Sequence, residues 1–192
     1  MKNERVFTAL LLLASPALAQ TSGTYLLTSS NTVSPSSPTT TIGIWAAWVD
    51  PGAQFVFAAA NYDLTAGDGV FSNPVIVLYG PGSSTGVIAG NVIWGAVIGQ
   101  LVGPPFFPMN WDNPILLATY DWTTTGFTPR AVDLHTSNTN LFLVFNPFSE
   151  AHVDLYPHSF TPGSGVIIVI PAPTAWLVLA LPLVAASRRR RC

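Results

Sequence analysis

The 192-residue chain is long enough for one domain of ordinary size, yet only 8% of its residues are charged, against roughly 25% in a typical soluble domain. Eight of its nine acidic residues lie between Asp50 and Asp154, where Arg130 is the one basic residue, so this central region carries a charge of about −7. That charge excludes nucleic-acid binding, which depends on cations that replace condensed counterions, and the single cysteine, Cys192, excludes an intrachain disulfide.

The N-terminal residues 1–19 have the three parts of a secretory signal peptide. A positively charged start precedes an apolar stretch at residues 6–14, and small residues, Ala17 and Ala19, occupy the two positions that signal peptidase reads. The apolar stretch is far shorter than the roughly 20 residues of a membrane-spanning helix, which argues against a permanent anchor. We therefore expect cleavage between Ala19 and Gln20 and export of the mature chain.

Residues 20–38 are rich in serine, threonine and proline and are predicted to lead into the domain, with one optional strand near Tyr25. From residue 39 onward, short β-branched and aromatic runs alternate with Gly, Pro, Asn and Asp. The predicted strands are residues 39–49, 54–64, 75–79, 86–101, 115–125, 129–135, 140–146, 152–156 and 166–170. The pattern predicts an all-β protein over residues 39–170, an antiparallel β-sandwich of about eight or nine strands (immunoglobulin/cohesin-like or jelly-roll), flanked by an N-terminal signal helix and a C-terminal hydrophobic helix.

Two strands show what the pattern predicts about side chains. In residues 39–49 the alternation places Ile42, Ile44, Ala46 and Trp48 together on one face. In residues 54–64 both faces are apolar, with Phe55 and Phe57 predicted on one side and Val56 and Tyr62 on the other. Strands of the second kind are expected in the middle of a sandwich.

Candidate metal ligands are sparse. Glu150, His152, Asp154 and His158 can be assembled into a site, because His152 and Asp154 share a face of a strand, but Pro157 intervenes and no recognised ligand spacing is met. A solvated edge strand is the preferred interpretation, and a secreted hydrolase built around His152 and Asp154 is the least favoured function. We expect no catalytic residue, no metal and no cofactor.

Two glycine-rich loops also lack the residues required for calcium binding, phosphate binding or nucleophilic catalysis. Asp63 and Asp68 flank a turn, but a calcium site requires further carboxylates, so capping aspartates are the preferred interpretation. Ser83 and Ser84 lie in a Gly-Pro-Gly-Ser-Ser-Thr-Gly loop without the lysine of a phosphate loop or the order of a nucleophile elbow.

Tryptophans are the remaining candidates for ligand binding, as sugar-stacking side chains. Core packing is the more general explanation of aromatic residues in strands. The residues concerned are Trp45, Trp48, Trp94, Trp111 and Trp122. Trp111, beside Asp112 and Asn113 in a proline-rich loop, is the best single candidate for a surface that stacks on extracellular polysaccharide.

The C-terminal residues 171–192 combine three features in order. Pro171-Ala172-Pro173 comes first, an apolar run at residues 175–186 follows, and Arg188, Arg189, Arg190 and Arg191 stand before the last residue. This arrangement resembles the sorting signal of the PEP-CTERM family of bacterial surface proteins, with alanine in place of the glutamate of the usual Pro-Glu-Pro motif. The resemblance implies cleavage by an exosortase-type membrane protease and delivery to the cell surface, the outer membrane or an extracellular matrix.

The length of the apolar run bears on how the tail meets the membrane. Its twelve residues span about 18 Å as a helix, against a hydrocarbon core of about 30 Å, and Pro182 interrupts them. Arginines do not cross the hydrocarbon cheaply, so they are expected to remain in the cytoplasm. The tail is therefore predicted to be a transient inner-membrane anchor that suits a processing signal.

The middle of the chain loosely resembles the cohesin-like sandwich domains of surface proteins. The resemblance rests on Ile44-Trp45-Ala46 before Asp50-Pro51 and on the strand at residues 57–63. Together these observations favour a non-enzymatic, exported cell-surface or matrix protein whose partners are signal peptidase, an exosortase-type protease and, transiently, the membrane. The alternative is an extracellular carbohydrate-binding module.

Overall fold

The computed structural model describes residues 22–49, 55–102, 109–145 and 155–171. Every regular element in these ranges is a β-strand, and no helix there is long and apolar enough to cross a membrane. The strands are β1 (Ser22–Thr28), β2 (Thr32–Val33), β3 (Thr39–Trp48), β4 (Phe55–Ala66), β5 (Val70–Ile76), β6 (Val87–Ala89), β7 (Val92–Gly99), β8 (Ile115–Thr123), β9 (Arg130–Phe145), β10 (Leu155–Thr161) and β11 (Ser164–Val169).

The strands form two sheets that pack face to face. The first sheet has the order β5-β8-β3-β1, and the second has the order β10-β9-β4-β7-β6, with β11 also beside β9 and β2 beside β11. A short parallel pairing of β1 with β10 at Ser22 and Gly23 joins the two sheets along one edge. The predicted all-β sandwich is confirmed, while the predicted signal and tail helices lie outside the described residues.

The first sheet includes a strand from the segment that leads into the domain. β1 pairs antiparallel with β3 along its whole length, from Ser22 opposite Trp48 to Thr28 opposite Ile42. The optional strand near Tyr25 is therefore present, and the described sandwich begins at Ser22.

The core lies between the sheets and follows the period of two in β3. Ile42, Ile44, Ala46 and Trp48 are all buried, as the alternation predicts. Residues of the neighbouring strand β8 point into the same core, where Trp122 has no exposed surface. Fully burying such side chains contributes about 1.5–3 kcal/mol each, so packing supplies the stability that a disulfide would otherwise add.

The face assignment predicted for β4 was wrong for Tyr62. Phe57 and Tyr62 both belong to the main core, although an uninterrupted strand would place them on opposite faces. The pairing of β4 with β9 shifts register between Phe57 and Ala59, and this bulge reverses the alternation. Val56 lies on the other face in a second, smaller cluster with Ala58, Met109 and Val144.

β9 is one long strand where the sequence predicted two. β10 pairs with its residues 140–144 and β11 with its residues 130–135, along the same edge. The chain turns between them at Gly163, whose N–H donates to the hydroxyls of Thr24 (2.9 Å) and Thr136 (2.8 Å). The two buried hydroxyls also hydrogen-bond each other at 2.9 Å, so this corner links β1 to β9.

Candidate functional site

The tryptophans divide into core and surface residues. Trp122 is fully buried and Trp48 is 6% exposed, so neither can stack on a ligand. Trp94 is 52% exposed and Trp111 is 38% exposed. Trp45 is half-buried and lies against Gly43, where an added Cβ would come within 2.9 Å of its Nε1. The surface candidates are therefore Trp94 and Trp111.

Trp111 lies in a segment that is fixed by side-chain hydrogen bonds both before and after it. Gln100 accepts from the backbone N–H of Asn110 at 3.0 Å and donates to its carbonyl at 3.0 Å. Asn113 accepts from the N–H of Trp48 at 3.2 Å and donates to its carbonyl at 2.7 Å. The structure thus places the residue favoured by the sequence on the surface, in a well-supported loop; its role in stacking stays a prediction.

Trp94 lies on the outer face of the second sheet, beside a bulge in β7. Its neighbours Ile93 and Ala96 both point into the core, and the extra outward residue between them is Gly95, with φ 65°. Glycine adopts that backbone region more readily than any residue with a Cβ. The bulge turns Trp94 outward on the same side as Val97, which is 41% exposed.

Asp63 fixes this bulge from the neighbouring strand β4. It is only 6% exposed, and its Oδ1 accepts from the N–H of Gly95 at 2.7 Å. Its Oδ2 accepts from the side-chain amide of Asn138, a β9 residue with φ 49°. Asn61 then donates its side-chain amide to the carbonyl of Asn138 at 2.8 Å. One carboxylate therefore connects the irregular points of β7 and β9.

The pairing register brings these side chains together in a single patch. Asn61 lies directly opposite Val97 of β7 and opposite Asn140 of β9. We call the patch formed by Trp94, Val97, Asn61, Asp63 and Asn140 the Trp94 face. The sequence signal that could have revealed it is Asn61 and Asp63 at alternate positions of an otherwise apolar strand, because such residues point to the same side.

A pair of buried tyrosines, Tyr62 and Tyr120, lies inside the core and is not part of the Trp94 face. The hydroxyls of Tyr62 and Tyr120 are 3.0 Å apart, and the Tyr120 hydroxyl donates to the carbonyl of Thr85 at 3.1 Å. Burial raises the pKa of Tyr120 to about 12, and its hydrogen bond with Tyr62 acts in the opposite direction. Burial, then the charge and the hydrogen bond of Tyr120, raise the pKa of Tyr62 well above 10.0. Both hydroxyls stay neutral at physiological pH and act as structural hydrogen-bonding groups.

Asp68 caps the turn between β4 and β5. Its carboxylate pairs with Arg130, and its carbonyl accepts from Nε1 of Trp122 at 2.8 Å. Arg130 also donates to the carbonyls of Gly126 (2.9 Å) and Thr128 (3.0 Å), which ties the turn to the chain before β9. These contacts agree with the turn interpretation of Asp68. Asp63 lies instead inside β4, in the Trp94 face.

The other chemical candidates are not brought together by the described structure. Among the described residues no group of three His, Cys, Asp or Glu side chains could hold a metal. Glu150, His152 and Asp154 lie outside the described residues; of His158 only the backbone is described, in β10 opposite Leu141. The residues of both processing signals, apart from Pro171, lie outside the described residues as well: Ala19, Gln20, Ala172, Pro173, Arg188, Arg189, Arg190 and Arg191.

Comparison with known proteins supports the fold. No protein-family model and no curated protein matches the chain. A similar solved structure is the cohesin module of the family 33 glycoside hydrolase from Clostridium perfringens ATCC13124, with a TM-score of 0.57 and 6% sequence identity, covering 80% of this chain and 99% of that module. At this identity the likeness shows a common sandwich fold alone. The cohesin-like resemblance is thus confirmed as a fold, while the PEP-CTERM resemblance of the tail stays a prediction.

Proposed function

We propose that this protein is an exported, non-enzymatic component of the cell surface or extracellular matrix, sorted through its C-terminal tail. The observation that carries the proposal is the order of Pro171-Ala172-Pro173, an apolar run and four arginines in a chain whose residues 1–19 have the pattern of a signal peptide. Signal peptidase removes residues 1–19, and an exosortase-type protease then cleaves near the Pro-Ala-Pro motif.

The bounds of the sandwich support this order of events. β1 begins at Ser22, shortly after the expected cleavage between Ala19 and Gln20. β11 ends at Val169, shortly before the expected cleavage near Pro173. Both processing steps therefore leave all eleven described strands in the product, so a folded domain can be released at the surface.

The internal polar groups support a non-enzymatic role. The Tyr62–Tyr120 pair, the Thr24–Thr136 pair and Asp63 are each buried, and each bonds neighbouring strands or loops to one another. Such groups are the kind that catalysis would use if they faced a cleft. Here their hydrogen bonds connect strands and loops of the domain to one another, which suits a display or adhesion domain.

The experiment is localisation of the full chain in a bacterial host that carries an exosortase. We expect the wild-type protein to be accessible to protease on whole cells, and a Pro171→Ala/Pro173→Ala variant to accumulate uncleaved in the inner membrane. Pro162→Ala is the matched control, because Pro162 is an exposed residue between β10 and β11. Surface display that is unchanged in the double variant refutes sorting through this motif.

A second candidate function is that of an extracellular carbohydrate-binding module. It is favoured by the partly exposed Trp111, because hydrogen bonds fix its loop on both sides. Aromatic side chains held rigidly at a surface provide contact area at a low entropic cost. Retention of the full chain on immobilised polysaccharide tests this function. The absence of retention on every matrix polysaccharide tried refutes it.

A further inference from the structure

We propose that the Trp94 face binds a neutral polysaccharide, which rests on the second function proposed above and assigns its site. The face combines an exposed indole with hydrogen-bonding amides on the outer face of the second sheet. A sugar ring presents a C–H face that matches the negative face of an indole, and a rim of hydroxyls that matches amides. The site is distinct from the Trp111 loop.

The shape of the face suits a flat, extended ligand. Asn140, Asn61 and Val97 form one row across β9, β4 and β7, because each is directly opposite the next. Trp94 lies beside this row on β7, and Val87 of β6 lies opposite Trp94. Adjacent strands are about 4.8 Å apart, so the row from Asn140 to Val97 covers about 10 Å, which is about the length of two sugar rings.

The backbone that carries the indole is held in place by the protein itself. The bulge at Gly95 aims Trp94 outward, and the hydrogen bond from the N–H of Gly95 to the buried Asp63 holds the bulge in place. Asn138 fixes the other oxygen of the same carboxylate. Because this backbone is already fixed, binding costs no backbone conformational entropy there, which favours affinity.

The amides of the face have unused hydrogen-bonding capacity. The side chain of Asn61 donates to Asn138, and its Oδ1 has no further partner among the described residues. Asn140 is exposed, and its side-chain amide makes no hydrogen bond within the described ranges. Asn140 therefore offers two donors and an acceptor to sugar hydroxyls, and Asn61 offers its remaining donor and its acceptor. A few polar groups beside an aromatic surface are typical of small-molecule and glycan sites.

Charge selects a neutral ligand over an anionic one. The only Lys or Arg among the described residues is Arg130, which pairs with Asp68. The one carboxylate of the face, Asp63, is already held by two N–H donors and is only 6% exposed. Asp133 lies further along β9, so an acidic polymer would meet carboxylates and no unpaired Lys or Arg among the described residues.

The test is affinity electrophoresis of the full chain in native gels that contain soluble hydroxyethylcellulose, galactomannan or dextran, with alginate as the anionic counter-probe. A detergent without a sugar headgroup keeps the chain soluble without competing. We expect at least one neutral polymer to retard the wild-type chain. Trp94→Ala should weaken that retardation about tenfold or more, as truncation of a central aromatic contact does.

The matched control is Tyr79→Ala, because Tyr79 is an exposed aromatic residue that belongs neither to the Trp94 face nor to the Trp111 loop. It should leave retardation unchanged, and Trp94→Phe should restore part of it, because phenylalanine retains a stacking ring. Near-ultraviolet circular dichroism of each variant verifies that the sandwich is folded.

The results distinguish a wrong assignment of the binding site from a wrong assignment of the carbohydrate-binding function. Retardation that persists in Trp94→Ala but is lost in Trp111→Ala overturns the assignment of the Trp94 face and keeps the carbohydrate-binding function. Absence of retardation by all three neutral polymers overturns both. Retardation by alginate alone overturns the charge argument and with it the proposal.

Discussion

Replacing either tyrosine of the Tyr62–Tyr120 pair by phenylalanine removes one hydroxyl. The two substitutions should nevertheless lower the stability of the fold by different amounts. Because the Tyr120 hydroxyl donates its proton to the carbonyl of Thr85, it must accept from Tyr62. Tyr62→Phe therefore removes one hydrogen bond and leaves the bond to Thr85 in place. Tyr120→Phe removes both bonds and leaves the buried Tyr62 hydroxyl without its partner.

The magnitudes follow from that difference. One intramolecular hydrogen bond contributes about 1 kcal/mol, and a buried polar group left unpaired costs about 1–3 kcal/mol. We expect Tyr62→Phe to lower the free energy of unfolding by about 1 kcal/mol and Tyr120→Phe to lower it by about 2–3 kcal/mol. Urea-induced unfolding measures both values. Equal costs, or a larger cost for Tyr62→Phe, refute the assigned direction of the hydrogen bonds.

The same pair makes stability depend on alkaline pH. The folded-state pKa of Tyr120 is about 12 and that of Tyr62 is raised well above 10.0, so below pH 10 both tyrosines are protonated in the folded and unfolded states alike. Above pH 10 the unfolded chain loses these protons first. The free energy of unfolding should then fall by up to about 1.4 kcal/mol per pH unit for each tyrosine as the pH rises towards 12. Tyr62→Phe/Tyr120→Phe should flatten this decline, and an unchanged slope contradicts the assignment.

Two further predictions, each with a paired substitution for comparison, test which contacts fix a turn and a bulge. Gly69→Ala should cost at least about 2 kcal/mol, because its φ is 83° and the added Cβ would lie 2.3 Å from the ring of the buried Trp122. Gly82→Ala, with φ 80° and nothing within 4 Å, is the control and should cost only about 1 kcal/mol; similar values for both would show that the ring contact is unimportant. Asp63→Ala should cost about 2 kcal/mol in thermal or urea unfolding because it leaves two donors unpaired, while Asp63→Asn should cost less, since its oxygen still accepts one of them. The reverse order would contradict the bonding assigned to this carboxylate.

The regular part of the fold was predictable because burial imposes a period of two. The alternation in β3 identifies Ile42, Ile44 and Ala46 as core residues, and the structure buries all three completely. Glycine and proline runs likewise marked the turns, because those residues set backbone torsions locally. Both signals act within a few residues, so one sequence is enough to read them.

The irregular part depends on contacts between distant residues. The bulges at Phe57–Ala59 and Asn61–Asp63 arise from the pairing of β4 with β9. No local pattern of residues in the sequence predicts them. The bond from Asp63 to Asn138 joins residues 75 positions apart in sequence. For that reason the sequence favoured Trp111, whose loop is conspicuous, while Trp94 could be recognised as a surface residue only once the register of β7 was known.

Intact-mass measurement of the cell-surface form tests processing at both terminal signals, because one mass depends on both ends of the chain. We expect a species that begins at Gln20 and ends near Pro173, with all described strands present. A surface species that still ends at Cys192 would contradict processing of the tail, and one that still begins at Met1 would contradict the signal peptide.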